Sequence, residues 1–399
     1  MQVFKSQQEN QVQTSAVHAV WQLPFRSFFL TGAAVSVFSI IIWLLALMGL
    51  MDLSQNPIPS IVWHAHEMIF GFAALIAVGF ILTAVQTWTG KPSITGLPVM
   101  LLAATWVAIR LFLFVGTQAA IYTSIVLILL WWLSVIIIYG RLVFAAKNRR
   151  NYLFIPLLSA LALLNLLILV SSLHGNHDTS LHLLRSSVLV FTMIIGVVGG
   201  RVIPFFTARG TQTEPKPPYQ WIEKALLPVS FVGVMVFISS HFIDLPFTPA
   251  ALMIVAGVMH LLRMMNWSST KTLSIPLLWS LHISYGLMAI GLIALGLSYI
   301  ISGLTFSTAL HLITIGAIGL MILAMISRVS LGHTGRKLSV APLTVFAFYA
   351  LIASTLCRFL LSISGYFIEA WISSAVLWVI SFTFFIFIYW PVLTAPRHT

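Results

Sequence analysis

Residues 64–87 read HAHEMIFGFAALIAVGFILTAVQT, a run in which Glu67 is the only carboxylate and neither Lys nor Arg occurs. A helix of about 20 predominantly apolar residues crosses the hydrocarbon core of a bilayer, so this run is long enough to span one. The same pattern recurs along the chain. Apolar runs between polar breaks predict spans at 28–50, 64–87, 97–115, 119–140, 152–172, 186–206, 225–242, 248–265, 275–300, 306–328, 341–364 and 370–392. The fold class is therefore all-α: a polytopic membrane bundle of about 12 transmembrane helices. Residues 28–392 form one transmembrane domain between a polar segment at 1–27 and a tail at 393–399. The first apolar run is too long for the core of a cleaved signal peptide and reads as the first helix.

Composition agrees. The 399 residues are 60% hydrophobic and 7% charged, whereas soluble chains carry roughly 25% charged residues. The net charge of +12 would suit a nucleic-acid partner if the charge were clustered, but it lies in short loops between apolar runs. One alternating set of loops carries Lys5, Arg26, Lys91, Arg141, Lys147, Arg149, Arg150, Arg209, Lys216, Lys224, Arg263, Lys271, Arg328, Arg336, Lys337 and Arg397. The other set carries Arg185 as its only base, with Asp52, Asp178, Asp244 and Glu369. Basic loops stay cytoplasmic, so both termini are expected there, as an even number of spans requires. The lipid bilayer is the first partner.

Cys357 is the only cysteine, which excludes disulfides, cysteine-rich zinc sites, iron–sulfur clusters and CxxCH-attached haem. Any metal must rely mainly on the twelve histidines.

Three helices share a pattern. The second carries His64 and His66 at its start and exits as WTGK at 88–91; the tenth starts near His311 and exits as HTGR at 333–336. The separation of His66 from Gly90 equals that of His311 from Gly335. The sixth, preceded by His182, exits as RVIPFFTARG at 201–210 and matches more loosely. A recurrence every four helices raises an arrangement of three four-helix units with pseudo-threefold symmetry. Positive charge at the exits of these spans offers a plainer origin for the same pattern.

Ionisable groups inside spans are costly, so each is a candidate for function. His64, His66 and His311 lie at similar depth, and imidazole suits haem iron and copper alike. Positions two apart on a helix point about 200° apart, so His64 and His66 need not share one ion. His64 shares a face with Glu67 and Met68. Glu67 can orient a histidine, bind metal or receive protons. The bland alternative is a water-bonded histidine cluster. Toward the basic loops, His282 lies within a helix, His260 precedes Arg263 by one turn, and His333 falls in the loop after the tenth span. Arg201 either pairs with an anion such as a haem propionate or snorkels to the interface. Arg110 and Arg358 have no acidic mate in their own helices. His174, His177 and His182, with Asp178, fall in the loop before the sixth span, where a surface metal would bind only adventitiously.

WHAHEMIFGF at 63–72, LTAVQTWTG at 82–90, GRVIPFFTARG at 200–210, PLLWSLHISYG at 276–286 and HLITIGAIGL at 311–320 with SRVSLGHTGR at 327–336 occur in this order. Together they resemble the NnrS family. That resemblance implies a bacterial inner-membrane protein containing haem and copper, linked to nitric oxide and nitrosative stress. The expected cofactors are non-covalent haem b and copper, with nitric oxide or another diatomic as ligand. On this reading His66 and His311 are axial haem ligands. His64 and Glu67 serve copper or support, and His282 and Arg201 are further cofactor contacts. Whether the protein is an enzyme stays open. The architecture also resembles the catalytic subunit of haem–copper oxidases, without that subunit's adjacent histidine pair. The competing class is a twelve-helix secondary transporter without haem. The loop WTGKPSITG at 88–96 lacks the acid expected of one large transporter class, and a period of four helices does not match two six-helix halves.

Overall fold

The computed structural model describes residues 18–52 and 56–398. Lys5, the rest of the N-terminal segment before residue 18, and Thr399 lie outside the described residues. Among the described residues, twelve helices are long and apolar enough to cross a membrane: α1 (Pro24–Leu47), α2 (Ser60–Thr89), α3 (Leu97–Val115), α4 (Gln118–Ala145), α5 (Arg149–Leu173), α6 (His177–Thr211), α7 (Gln220–Ser239), α8 (Ala250–Trp267), α9 (Pro276–Leu297), α10 (Phe306–His333), α11 (Pro342–Ile363) and α12 (Phe367–Thr394). No strand occurs among the described residues. This is the fold of a multi-pass membrane protein, since a helix satisfies its backbone internally where no water is available.

Local sequence sets the ends. Proline opens α1, α9 and α11, where its missing N–H costs nothing. Thr117 and Thr305 cap α4 and α10 through their hydroxyls. Gly90 ends α2 in the left-handed region, with φ 66°, a conformation that residues with a Cβ rarely adopt.

Several predicted boundaries shift by a few residues, and two of the shifts move candidate residues. α6 begins at His177, not at 186, so His177, His182 and Arg185 are helical residues, not loop. At 35 residues the helix is ~52 Å long, well beyond the ~30 Å hydrocarbon core, so its first turns can be polar without leaving the helix. Ser180 and His182 in those turns are buried by protein. His333 closes α10 and is not in the following loop.

Most consecutive helices pack against one another, and α12 returns to pack on α1, closing the bundle. α2, α6 and α10 are, with α9, the most buried helices, with 78%, 56%, 72% and 72% of their most apolar stretches covered, a pattern that puts them at the centre of the bundle without making three equal units. The likeness of α2 and α10 is nevertheless carried into the backbone. Each widens into a π-helical segment immediately after its histidine: Glu67–Ala73 after His66, and Leu312–Gly319 after His311. Such segments are rare and concentrate at functional sites. α6 remains α-helical throughout.

Small residues allow the closest helix approach, as expected without a hydrophobic drive between spans. A Cβ at Gly257 in α8 would lie 2.6 Å from the Ala289 carbonyl oxygen of α9, and one at Gly296 would lie 2.6 Å from the Ala250 carbonyl oxygen. Gly257→Ala is therefore expected to force α8 and α9 apart, at about 1–3 kcal/mol for overpacking. Thermal unfolding of the detergent-solubilised protein checks this against Gly303→Ala, where a Cβ meets nothing. Equal midpoints would mean that the two helices do not approach this closely.

Candidate functional site

The first turns of α2, α6 and α10, together with parts of α1, α11 and α12, surround a cavity of about 260 Å³. Ligand pockets commonly measure about 300–1,000 Å³, so this one stands at the lower edge of that range. It lies at the end of the bundle opposite the basic loops. Trp43, Trp371 and Trp378 give it aromatic walls.

His64 and His311 both line this cavity. His311 Nδ1 lies 2.6 Å from the Ser307 carbonyl oxygen. A carbonyl only accepts, so Nδ1 carries the proton and Nε2 keeps its lone pair, the arrangement that a metal-binding imidazole uses. The His64 ring stacks on Trp43, with centroids 4.6 Å apart and planes inclined by 20°. His64 Nδ1 is buried without a hydrogen-bond partner among the described residues, as is the hydroxyl of Thr314, which also faces the cavity from the π segment of α10. Met68 places a thioether on the same wall.

The cavity is electrically incomplete. Arg185 and Arg358 line it. Among the described residues the ion pairs involve only Glu67 and Glu223 as acids, and neither of these arginines takes part. Arg358 donates to Ser362 Oγ at 2.5 Å, and Arg185 sits over the Phe306 ring at 5.4 Å. Asp178 attracts Arg185 from beyond ion-pair distance, so neither guanidinium has a carboxylate in contact, and together they favour an anionic occupant.

His66 does not line this cavity. It is 1% exposed, with Nε2 2.7 Å from Asn165 Oδ1 of α5 and Nδ1 3.4 Å from Glu67 Oε1. Glu67 Oε1 in turn accepts from Arg110 Nη1 of α3 at 2.8 Å. The network ties α2 to α3 and α5. Gly71 makes room for it, since a Cβ there would stand 2.7 Å from Glu67 Oε2. His64 and His66 thus point apart, as the helical geometry requires, and it is His64, not His66, that shares a cavity with His311. Glu67 lies with His66 and Arg110, away from the cavity wall.

At the basic end the remaining candidates are apart from the cavity, with Trp267 packed against both His282 and Tyr285. His282 Nε2 and Nδ1 lie 2.8 Å from the hydroxyls of Thr207 and Ser269. Arg201 donates to Asn151 Oδ1 at 3.1 Å and toward the Arg150 carbonyl at 3.4 Å, tying α6 to the start of α5. His260 Nδ1 meets the Tyr285 hydroxyl at 2.7 Å, beside the Arg263–Glu223 ion pair. His333 packs on Phe25. Among the described residues no three His, Cys, Asp or Glu side chains converge on a metal position.

Sequence reasoning passed over Arg185, Trp43 and Asn165, and it left Arg110 without its acid. Two signals were present. Arg185 was the only base in the otherwise acidic set of loops, an exception that marks a residue with another task. Glu67 and Arg110 were an embedded acid and an embedded base, but the search for mates stayed within single helices.

These features define a class: a twelve-helix membrane protein whose interior turns imidazoles and unpaired guanidiniums toward one cavity. The profile of the NnrS protein family matches residues 19–397, nearly the whole length, and the chain belongs to that family. No curated protein matches it.

Removing one member of the buried ion pair isolates its partner. Arg110→Leu is expected to destabilise the protein by about 3–5 kcal/mol, and adding Glu67→Leu should recover most of that loss. Thermal midpoints of the two variants read the difference. Strictly additive losses would show that the two charges do not depend on each other.

Proposed function

We propose that the cavity holds a non-covalent haem b, with His64 and His311 as candidate iron ligands and Arg185 and Arg358 as partners of its carboxylates. One observation carries this reading: two imidazoles and two unpaired guanidiniums face the same aromatic-walled cavity. A planar aromatic metal complex bearing two carboxylates answers each of these groups. Haem also needs few protein ligands, because the porphyrin supplies four nitrogens, and this suits a site without a three-residue metal cluster. When bound, it would supply one-electron chemistry and, with one axial position open, diatomic binding.

The residues divide the work. Ser307 fixes the His311 tautomer, Trp43 holds the His64 ring flat, and the arginines neutralise carboxylates that would otherwise be expensive in lipid. Thr314 offers a hydroxyl to whatever enters. Copper is the second reading, favoured by the Met68 thioether beside His64, since soft sulfur suits copper(I). Protection against nitric oxide and nitrosative stress, by binding or converting a diatomic, is the role that family membership supports. Membership leaves the transporter alternative without support.

Spectra of the detergent-purified protein test this reading. A Soret band is expected, lost or shifted in His64→Ala and in His311→Ala but retained in His66→Gln. Unchanged bands in both alanine variants would end the ligand assignment, and a colourless preparation from haem-replete cells would end the haem reading. Metal analysis of the same material decides on copper.

Charge asymmetry orients the bundle in a bacterial inner membrane with the basic loops cytoplasmic, so the cavity opens toward the outer face. A C-terminal fluorescent reporter, active only in the cytoplasm, is expected to light up. A periplasmic phosphatase fused there should stay silent, and the reverse pattern would invert the topology.

A further inference from the structure

A second hollow, of about 90 Å³, continues beneath the cavity between α1, α2, α6 and α10. The two are stacked along the same helices. Lining residues run from 61 to 72 and then from 73 to 81 on α2, from 181 to 188 and then from 191 to 203 on α6, and from 307 to 318 and then from 318 to 326 on α10. Ile318 lines both and stands at their junction.

The lower chamber is lined by hydrocarbon and thioether side chains and by Gly199, with no side chain that can donate a hydrogen bond. Ala73, Ala77 and Gly199 leave the space open. The facing residues are largely β-branched, Ile194, Val198 and Ile322 among them. Their χ1 angles are nearly fixed within a helix, which limits how far these walls close by changing rotamer. Water needs two to four polar partners to settle in such a place, and an apolar cavity instead stays dry and takes xenon or similarly nonpolar molecules.

We infer that the lower chamber is a binding and transit site for small uncharged apolar molecules, dissolved diatomic gases by class, which reach the His64–His311 cavity past Ile318 from the hydrocarbon region of the membrane. Such molecules concentrate in lipid, and a duct without polar groups admits them while refusing water and ions. The chamber stands on its own geometry. Its role as a supply route rests on the reading that a gas-binding cofactor occupies the upper cavity.

Xenon is the probe. Crystals of the full-length protein pressurised with xenon should show anomalous density among Ala77, Val198 and Ile322, and this density should be lost in Ala77→Leu. Absence of xenon from the wild-type chamber, or an ordered acyl or detergent chain in its place, overturns the assignment. The route is read separately. In haem-loaded protein, Ala77→Leu, which fills the lower chamber without touching the upper cavity, should slow carbon monoxide rebinding after photolysis by about tenfold, with the Soret position kept. An unchanged rebinding rate overturns the route and leaves the haem reading intact. A colourless protein sinks the haem reading, and with it the supply role, while xenon occupancy still decides the chamber.

Discussion

Glu67 is buried between His66 and Arg110, and the acid that could have neutralised another embedded cation is thereby committed. Everything distinctive about the cavity follows from that commitment. Arg185 and Arg358 line a cavity with apolar walls and take part in no ion pair among the described residues, and an embedded guanidinium without a contact partner is costly. A bundle that keeps two such groups and two imidazoles around one space is arranged for an occupant, not for its own stability.

The backbone cooperates. A π-helical segment follows His66 in α2 and His311 in α10, at the same distance from the glycine that ends each exit motif. In α2 the segment sets Glu67 beside His66 and Arg110, with Gly71 leaving the room. In α10 it leaves the Thr314 hydroxyl facing the cavity without a partner. Equivalent positions thus do different work: His66 fastens helices together, and His311 faces the hollow. The central space these helices share with α6 is polar at one end and hydrocarbon below, a gradient that separates a place for charge from a place for apolar molecules.

Span count, the single thiol and the similar depth of His64, His66 and His311 were legible from residues alone. The first and last follow from local physics: the length needed to cross lipid and the cost of burying a charge. The family resemblance rested on ordered motifs and is met by a match over nearly the whole chain. The start of α6 was not legible, because polar residues in its first turns resemble a loop until neighbouring helices are seen to cover them.

The sequence by itself determined that this chain is a membrane-embedded helical bundle and that imidazole is its main candidate metal ligand, since hydropathy and composition depend on nothing distant. Only the tertiary structure decided which imidazoles meet. His64 and His66 are two residues apart and face opposite ways, while His64 and His311 are far apart in sequence and share one cavity. Contacts between helices depend on packing and on the phase of a π turn, and neither is written in any single segment.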